Sequence, residues 1–187
     1  MEFKKIQLNG FKSFAEKTNF LIEDGLTGIV GPNGCGKSNI VESLRWAMGE
    51  TSAKSMRGSG MEDVIFNGTS NKASKNIAEV SIIVDNASHE GPLQYKDIDQ
   101  IEVRRKIEKD KGSKFYINDK EVRARDAQMF FADLSTGAHS PSMISQGRIG
   151  ALVTAKPTDR RAILEEAANI SGLHVRRHEA ELRLNAA

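Results

Sequence analysis

Apolar and polar residues alternate in several short stretches of this chain, and each predicts a half-buried strand. Phe3, Ile6 and Leu8 lie among Lys4, Lys5 and Gln7, and Gly10 ends that run. Residues 18–22 read as a second strand, turned by Glu23-Asp24-Gly25, so an antiparallel hairpin is expected at the start. Residues 26–30 form a continuous apolar run broken only by Thr27 and Gly28, the mark of a short buried strand. Val64-Ile65-Phe66 predicts another, closed by Asn67-Gly68. In residues 77–84, Val80, Ile82 and Val84 alternate. Residues 101–107 and 113–117 alternate again with Lys111-Gly112 in the turn between them, and Asn118-Asp119-Lys120 makes a further turn. Helical patterns occupy residues 39–48, stopped by Gly49, and residues 124–134. A third helix starts at Lys156-Pro157-Thr158-Asp159, with Ile163, Leu164, Ala167 and Ala168 on one face. Gly172 interrupts it, and a charged helix resumes over residues 175–184.

The chemistry concentrates where the run at 26–30 meets the first helix. Gly31-Pro32-Asn33-Gly34-Cys35-Gly36-Lys37-Ser38 fits G-x-x-x-x-G-K-[ST], the phosphate-binding loop. Glycines let the backbone curl until successive N–H groups face a phosphate. Lys37 adds a point charge toward the β- and γ-phosphates, Ser38 offers a hydroxyl to Mg²⁺, and the helix adds its positive end. Strand, loop, helix is the order this chemistry requires. A second candidate is Arg57, in the small, polar, basic loop of residues 52–60. A third is Gln146, flanked by Ser145 and Gly147, whose carbonyl can reach a metal or a water.

Three motif-like stretches are rejected. Ile82-Ile83-Val84-Asp85 imitates an apolar strand ending in a metal-binding aspartate, but Asn86 stands where a catalytic glutamate belongs, and an Asp-Asn pair suits a turn. Leu134-Ser135-Thr136-Gly137-Ala138 departs at two of five positions from the Leu-Ser-Gly-Gly-Gln signature of ABC-type ATPases. Asn71-Lys72-Ala73-Ser74 lacks the aspartate of a guanine-reading motif, which argues against a GTPase.

The whole-chain quantities add bounds. A length of 187 residues suits one domain or a compact two-lobed one. A net charge of +2 does not demand a polyanionic partner. The most basic stretch, residues 101–125, holds nine Lys/Arg against five Asp/Glu and reads either as a solvated hairpin face or as a contact to nucleic-acid phosphates. Cys35 is the only cysteine, which fits a reducing cytosol. Neither a signal peptide nor a membrane-spanning apolar run is expected.

Taken together, these motifs resemble the N-terminal half of the ATPase head of bacterial SMC (structural maintenance of chromosomes) proteins. Gly10-Phe11-Lys12-Ser13-Phe14 is similar to that family's opening motif, Gly31 to Asn39 to its Walker A loop, and Lys54-Ser55-Met56-Arg57-Gly58 to its arginine loop. Ser145-Gln146-Gly147-Arg148-Ile149 is similar to its Q-loop, and residues 160–168 to the helix leading into its coiled coil. One departure is Asn169, where many relatives carry glycine.

The resemblance implies an α/β fold: a P-loop NTPase of the ABC-ATPase head type, with a mixed sheet, an antiparallel β subdomain and the start of a coiled-coil helix. Residues 1–155 would be the N-terminal lobe and residues 156–187 a helical segment truncated before its coiled coil. ATP and Mg²⁺ would be the cofactors. Lys12, Ser13, Pro32, Asn33, Gly34, Cys35, Gly36, Lys37, Ser38 and Asn39 would surround the nucleotide. Ser38 and Gln146 would hold Mg²⁺; Lys37, Gln146 and Arg57 would serve catalysis, Arg57 also linking nucleotide to DNA. The implied partners are the C-terminal half of the head, a second head, DNA and a kleisin-type subunit, in a nucleoid-associated cytoplasmic protein. Signature and catalytic glutamate would come from those other parts, so this chain alone should hydrolyse ATP negligibly. The competing readings are a repair ATPase of the RecN or RecF kind, a P-loop kinase or GTPase, and a nucleotide-gated binding module.

Overall fold

The computed structural model describes residues 1–89, 91–134, 143, 150, 153–167 and 184. In chain order these build β1 (Glu2–Asn9), β2 (Thr18–Leu21), α1 (Lys37–Ala47), β3 (Ile77–Asp85), β4 (Gln100–Glu108), β5 (Gly112–Ile117), β6 (Lys120–Val122), α2 (Ala124–Asp133) and α3 (Pro157–Ala167). Short 3-10 turns lie at Lys54–Met56, Met61–Val64 and Leu93–Tyr95. One six-stranded sheet has the order β2-β1-β3-β4-β5-β6. Every pairing among the described residues is antiparallel, which is the antiparallel subdomain of the expected architecture.

Register follows the period-two patterns. Ile6 faces Ile82, Ile82 faces Val103, and Val103 faces Ile117, so one apolar row crosses four strands. Side chains two apart share a sheet face, so the next row on that face is Leu8, Val80, Arg105 and Phe115. Against these rows pack α1, through Ile40, Trp46 and Ala47, and α2, through Ala127, Phe130 and Phe131. Phe11, in the turn after β1, lies 5.4 Å from the Trp46 ring and ties the opening motif to α1.

Arg105 is an arginine in an inward-facing position, only 3% exposed. Its guanidinium lies between the rings of Trp46, at 4.5 Å, and Phe115, at 4.6 Å. It donates to the carbonyls of Trp46 (2.8 Å) and Glu50 (2.7 Å), closing the C-terminal end of α1, and to Ser113 Oγ at 2.7 Å. Burial pushes its pKa down to about 10, opposed by the Glu50 charge, so it stays charged at neutral pH. Gly49 takes a φ of 104° just past the helix, the left-handed stop expected of it.

Two expected strands are absent. Residues 26–30 form none, with Leu26 99% and Val30 93% exposed. An apolar run of this kind is stable as a strand only between neighbours that cover both faces, and among the described residues none pairs with it. Val64 closes a 3-10 turn and Ile65 makes a single bridge to Phe11. Conversely, Lys120, expected as the end of the turn, opens the short β6, which the sequence pattern does not predict. Asn86 acts as the turn residue it was read to be: it is buried, its amide donates to the Tyr95 and Ile98 carbonyls, and its Oδ1 accepts from Gly91 N–H.

Candidate nucleotide-binding site

The loop between β2 and α1 has the geometry a phosphate needs. Gly34 and Gly36 have φ of 80° and 98°, a region closed to most side chains, and Gly36 leads directly into α1. Gly36 is also required by space, because a Cβ there would lie 2.5 Å from Ser13 Oγ. Lys37 opens the helix, and its ammonium curls back over the loop to the carbonyls of Gly31 (2.6 Å) and Pro32 (2.7 Å), with Cys35 Sγ at 3.8 Å. Pro32, Asn33, Gly34, Cys35 and Ser38 are exposed along the rim. Two left-handed glycines, a helix N-terminus, an ammonium and an exposed hydroxyl lie within residues 34–38, a set of groups that fits a nucleotide polyphosphate with its Mg²⁺.

The structure brings the other candidates to this loop through one face of α1. Asn39 Nδ2 donates to Ser13 Oγ at 2.8 Å, and Asn39 Oδ1 accepts from Arg57 at 3.0 Å. Arg57 Nε also pairs with Glu42 Oε1, while the other Glu42 oxygen pairs with Lys12 Nζ. Lys12 Nζ donates as well to the Met56 carbonyl, beside Arg57 in the chain. Lys12, Ser13, Asn39 and Arg57 are thereby joined in one network at the helix start. A cleft of about 440 Å³ opens next to Ser13, lined in part by Phe14, Glu16, Phe66, Thr69 and Lys72.

Sequence reading missed Glu42, the centre of this network. Glu42 is the only acidic residue in α1 and follows Asn39 by three positions, on the same helix face. An isolated acid on a helix that starts at a phosphate loop was the available signal. Gln146 and the surrounding motif lie outside the described residues, as do most of the five residues from Leu134 and the charged stretch at 175–184.

Four of the nine basic residues at 101–125 have partners within the fold that can be named. Arg105 is buried in the core. Arg104 bonds Asp119 at 2.7 Å and lies over the Tyr116 ring. Lys111 pairs with Glu108 at 2.7 Å and Lys114 with Glu121 at 3.0 Å. No helix of the described residues is long and apolar enough to cross a membrane.

Comparison with known proteins identifies the lineage. The family described as RecF/RecN/SMC N terminal domain matches residues 2–148. The chain is 58% identical over 186 residues to a chromosome partition protein Smc of Cereibacter sphaeroides, covering all of this chain and 16% of that protein. It is 56% identical over 187 residues to one of Rhodopseudomonas palustris, again covering 16% of it. The chain thus spans about one-sixth of the length of these relatives. Among solved structures, an Smc head with an extended coiled coil from Pyrococcus furiosus, bound to the C-terminal domain of ScpA, matches with a TM-score of 0.83 at 28% identity, over 99% of this chain and 46% of that one. An SMC head bound to the C-winged helix domain of ScpA matches at 0.84 and 30% identity, over 91% of this chain and 52% of that one. These relatives are Smc proteins, so the RecN or RecF reading is not favoured. The fold is that of the P-loop ATPase head, and the chain belongs to the RecF/RecN/SMC N-terminal domain family, on the SMC side of it, as the N-terminal half of a head.

Proposed function

We propose that this chain is the ATP-binding half of an SMC ATPase head. Completed by a C-terminal half and engaged with a second head, it hydrolyses ATP to drive DNA binding and chromosome segregation. The carrying observation is the loop at the start of α1, where left-handed Gly34 and Gly36 and the curled Lys37 ammonium form a phosphate cradle. The loop amides of residues 32–36 and Lys37 bind the phosphates, and Ser38 with Gln146 holds Mg²⁺, which neutralises charge on the phosphate oxygens when bound. Ser13 and Asn39 line the nucleotide beside the cleft next to Phe14, and Lys12 supports them through Glu42. Arg57 links bound phosphate to DNA.

The exposed run at 26–30 supports the need for a second half. Leu26 and Val30 present apolar surface directly before the loop, where a neighbouring strand would cover them. Residues 1–155 act as the N-terminal lobe, and the helix from Pro157 leads toward a coiled coil. A kleisin-type subunit, like the ScpA seen on neighbouring heads, and a second copy of the head complete the assembly, in the cytoplasm on the nucleoid.

The test has two steps. The chain should bind ATP with Mg²⁺, and Lys37→Ala should abolish that binding. Turnover should be negligible until the C-terminal half is supplied. Robust hydrolysis by the chain alone, lost in Lys37→Ala, would overturn the division of labour.

A further inference from the structure

The Glu42 carboxylate is 8% exposed as a residue and is shared by two cations of very different exposure. The Lys12 side chain is 13% exposed, whereas that of Arg57 is 60% exposed. Both cations project from left-handed backbone, with φ of 46° at Lys12 and 55° at Arg57, conformations that non-glycine residues keep only when the surroundings hold them. Lys12 is fixed further by its own amide on the Val64 carbonyl at 2.7 Å. The backbone at Arg57 is pinned as well: its N–H bonds the Lys54 carbonyl at 3.0 Å and Gly58 N–H bonds the Ala53 carbonyl at 2.9 Å. Only the exposed guanidinium is free to change place, and it can do so by side-chain rotation.

We propose that Glu42 is a positioning residue for Arg57: a dock that holds the guanidinium beside Asn39 and competes for it with phosphate oxygens. The inference rests on the reading that this site takes ATP. Charge makes the exchange feasible. A buried carboxylate stripped of its partner is costly, but here Lys12 remains on Glu42 when Arg57 leaves. Two cations on one carboxylate leave one positive charge over, and an arriving phosphate takes it. The Asn39 contact keeps the released guanidinium near the loop, because the same side chain also bonds Ser13, which packs on Gly36. The phosphate could belong to the nucleotide or to a DNA backbone.

The experiment measures binding of Mg²⁺–ATPγS without DNA, and of a short DNA duplex at saturating ATPγS, using the complete head. Glu42→Gln removes the competitor and keeps the shape. It should tighten binding about fivefold in one arm, the worth of a largely exposed ion pair. The ATP arm would assign nucleotide phosphates, the DNA arm alone backbone phosphates. In the Arg57→Ala background the gain should vanish, so that the double variant binds like Arg57→Ala. A merely structural carboxylate would do the opposite, weakening binding in both backgrounds. A folded Glu42→Gln protein that binds no tighter in either arm, or a gain that survives Arg57→Ala, overturns the dock. Should Glu42→Gln not fold, Glu42→Asp keeps the charge beside Lys12 and shortens the reach to both cations, so it weakens the hold on Arg57. About twofold tighter binding is then expected, and none refutes the dock. If Lys37→Ala binds ATPγS as well as wild type, the failure lies in the nucleotide-site reading itself.

Discussion

Replacing Arg105 by methionine tests what the arginine in the core does. Methionine keeps much of the volume and the unbranched stem but removes charge and donors. Three bonds from a charged donor are lost, to the Trp46 and Glu50 carbonyls and to Ser113. At the lower end for such bonds they are together worth about 4 to 5 kcal/mol. Loss of the ring contacts at 4.5 and 4.6 Å adds about 1 to 2 kcal/mol. Against this, methionine escapes the desolvation that lowers the guanidinium pKa to about 10, a relief of about 3 kcal/mol. The net expectation is a loss of about 3 kcal/mol, larger than a surface substitution gives. Urea denaturation of wild type and variant, followed by circular dichroism, measures it as a lower midpoint at unchanged slope. Arg105→Lys should fall between the two, since it keeps the charge without the planar fork. If Arg105→Met lies within about 0.5 kcal/mol of wild type, the guanidinium does not organise the end of α1. A stable variant that loses affinity for DNA, with a shallower salt dependence, would instead return Arg105 to the phosphate-contact reading.

Two further outcomes follow from the loop and its surroundings. Alkylation of Cys35, exposed and 3.8 Å from the Lys37 ammonium, should block ATP binding, and Mg²⁺–ATP should slow the labelling; labelled protein with full affinity for ATP would show that the side chain points away from the nucleotide. Asp63 accepts bonds from Gly60 N–H, the Ser59 hydroxyl and Ser59 N–H, which hold its pKa below the usual 3.8. Because the folded value is the lower one, the stability it contributes is present above 3.8 and lost as pH falls through the folded value. Amide exchange at Ser59 and Gly60 should therefore lose protection only once pH falls below the lowered folded value, and Asp63→Ala should lack that protection at neutral pH; undiminished protection in Asp63→Ala would remove the role.

Arg105 also shows how much the sequence disclosed. The period-two rule placed β4 correctly, and it already assigned positions 101, 103, 105 and 107 to the inward face. Counting charge over the whole stretch treated Arg105 as one more surface cation. Parity, applied residue by residue, separates it from Arg104, which stands on the other face with Asp119. Local pattern was equally sufficient for the glycine turns that lead into α1, for Gly49 and for the turn at Asn86, because the physics there lies within a few residues. It could not disclose the Glu42 network, which joins residues 12, 39, 42 and 57 through side chains that meet only after the opening motif has folded onto α1.

The run at 26–30 marks the other boundary of local reading. Its composition correctly reports a segment that wants both faces covered, yet its hydrogen bonds belong to whatever neighbours it. β2 is an edge of the described sheet, and the chain runs on from it into the loop with no strand partner for residues 26–30 among the described residues. Leu26 and Val30 therefore carry information about the rest of the head rather than about this chain's own core. The same division runs through the proposed site. The residues proposed to bind phosphate are consecutive and lie within this chain, whereas the signature and catalytic glutamate that hydrolysis would need are proposed to come from other surfaces. On that proposal, one half would hold ATP and stay idle until the remaining surfaces arrive, and assembly itself would trigger turnover.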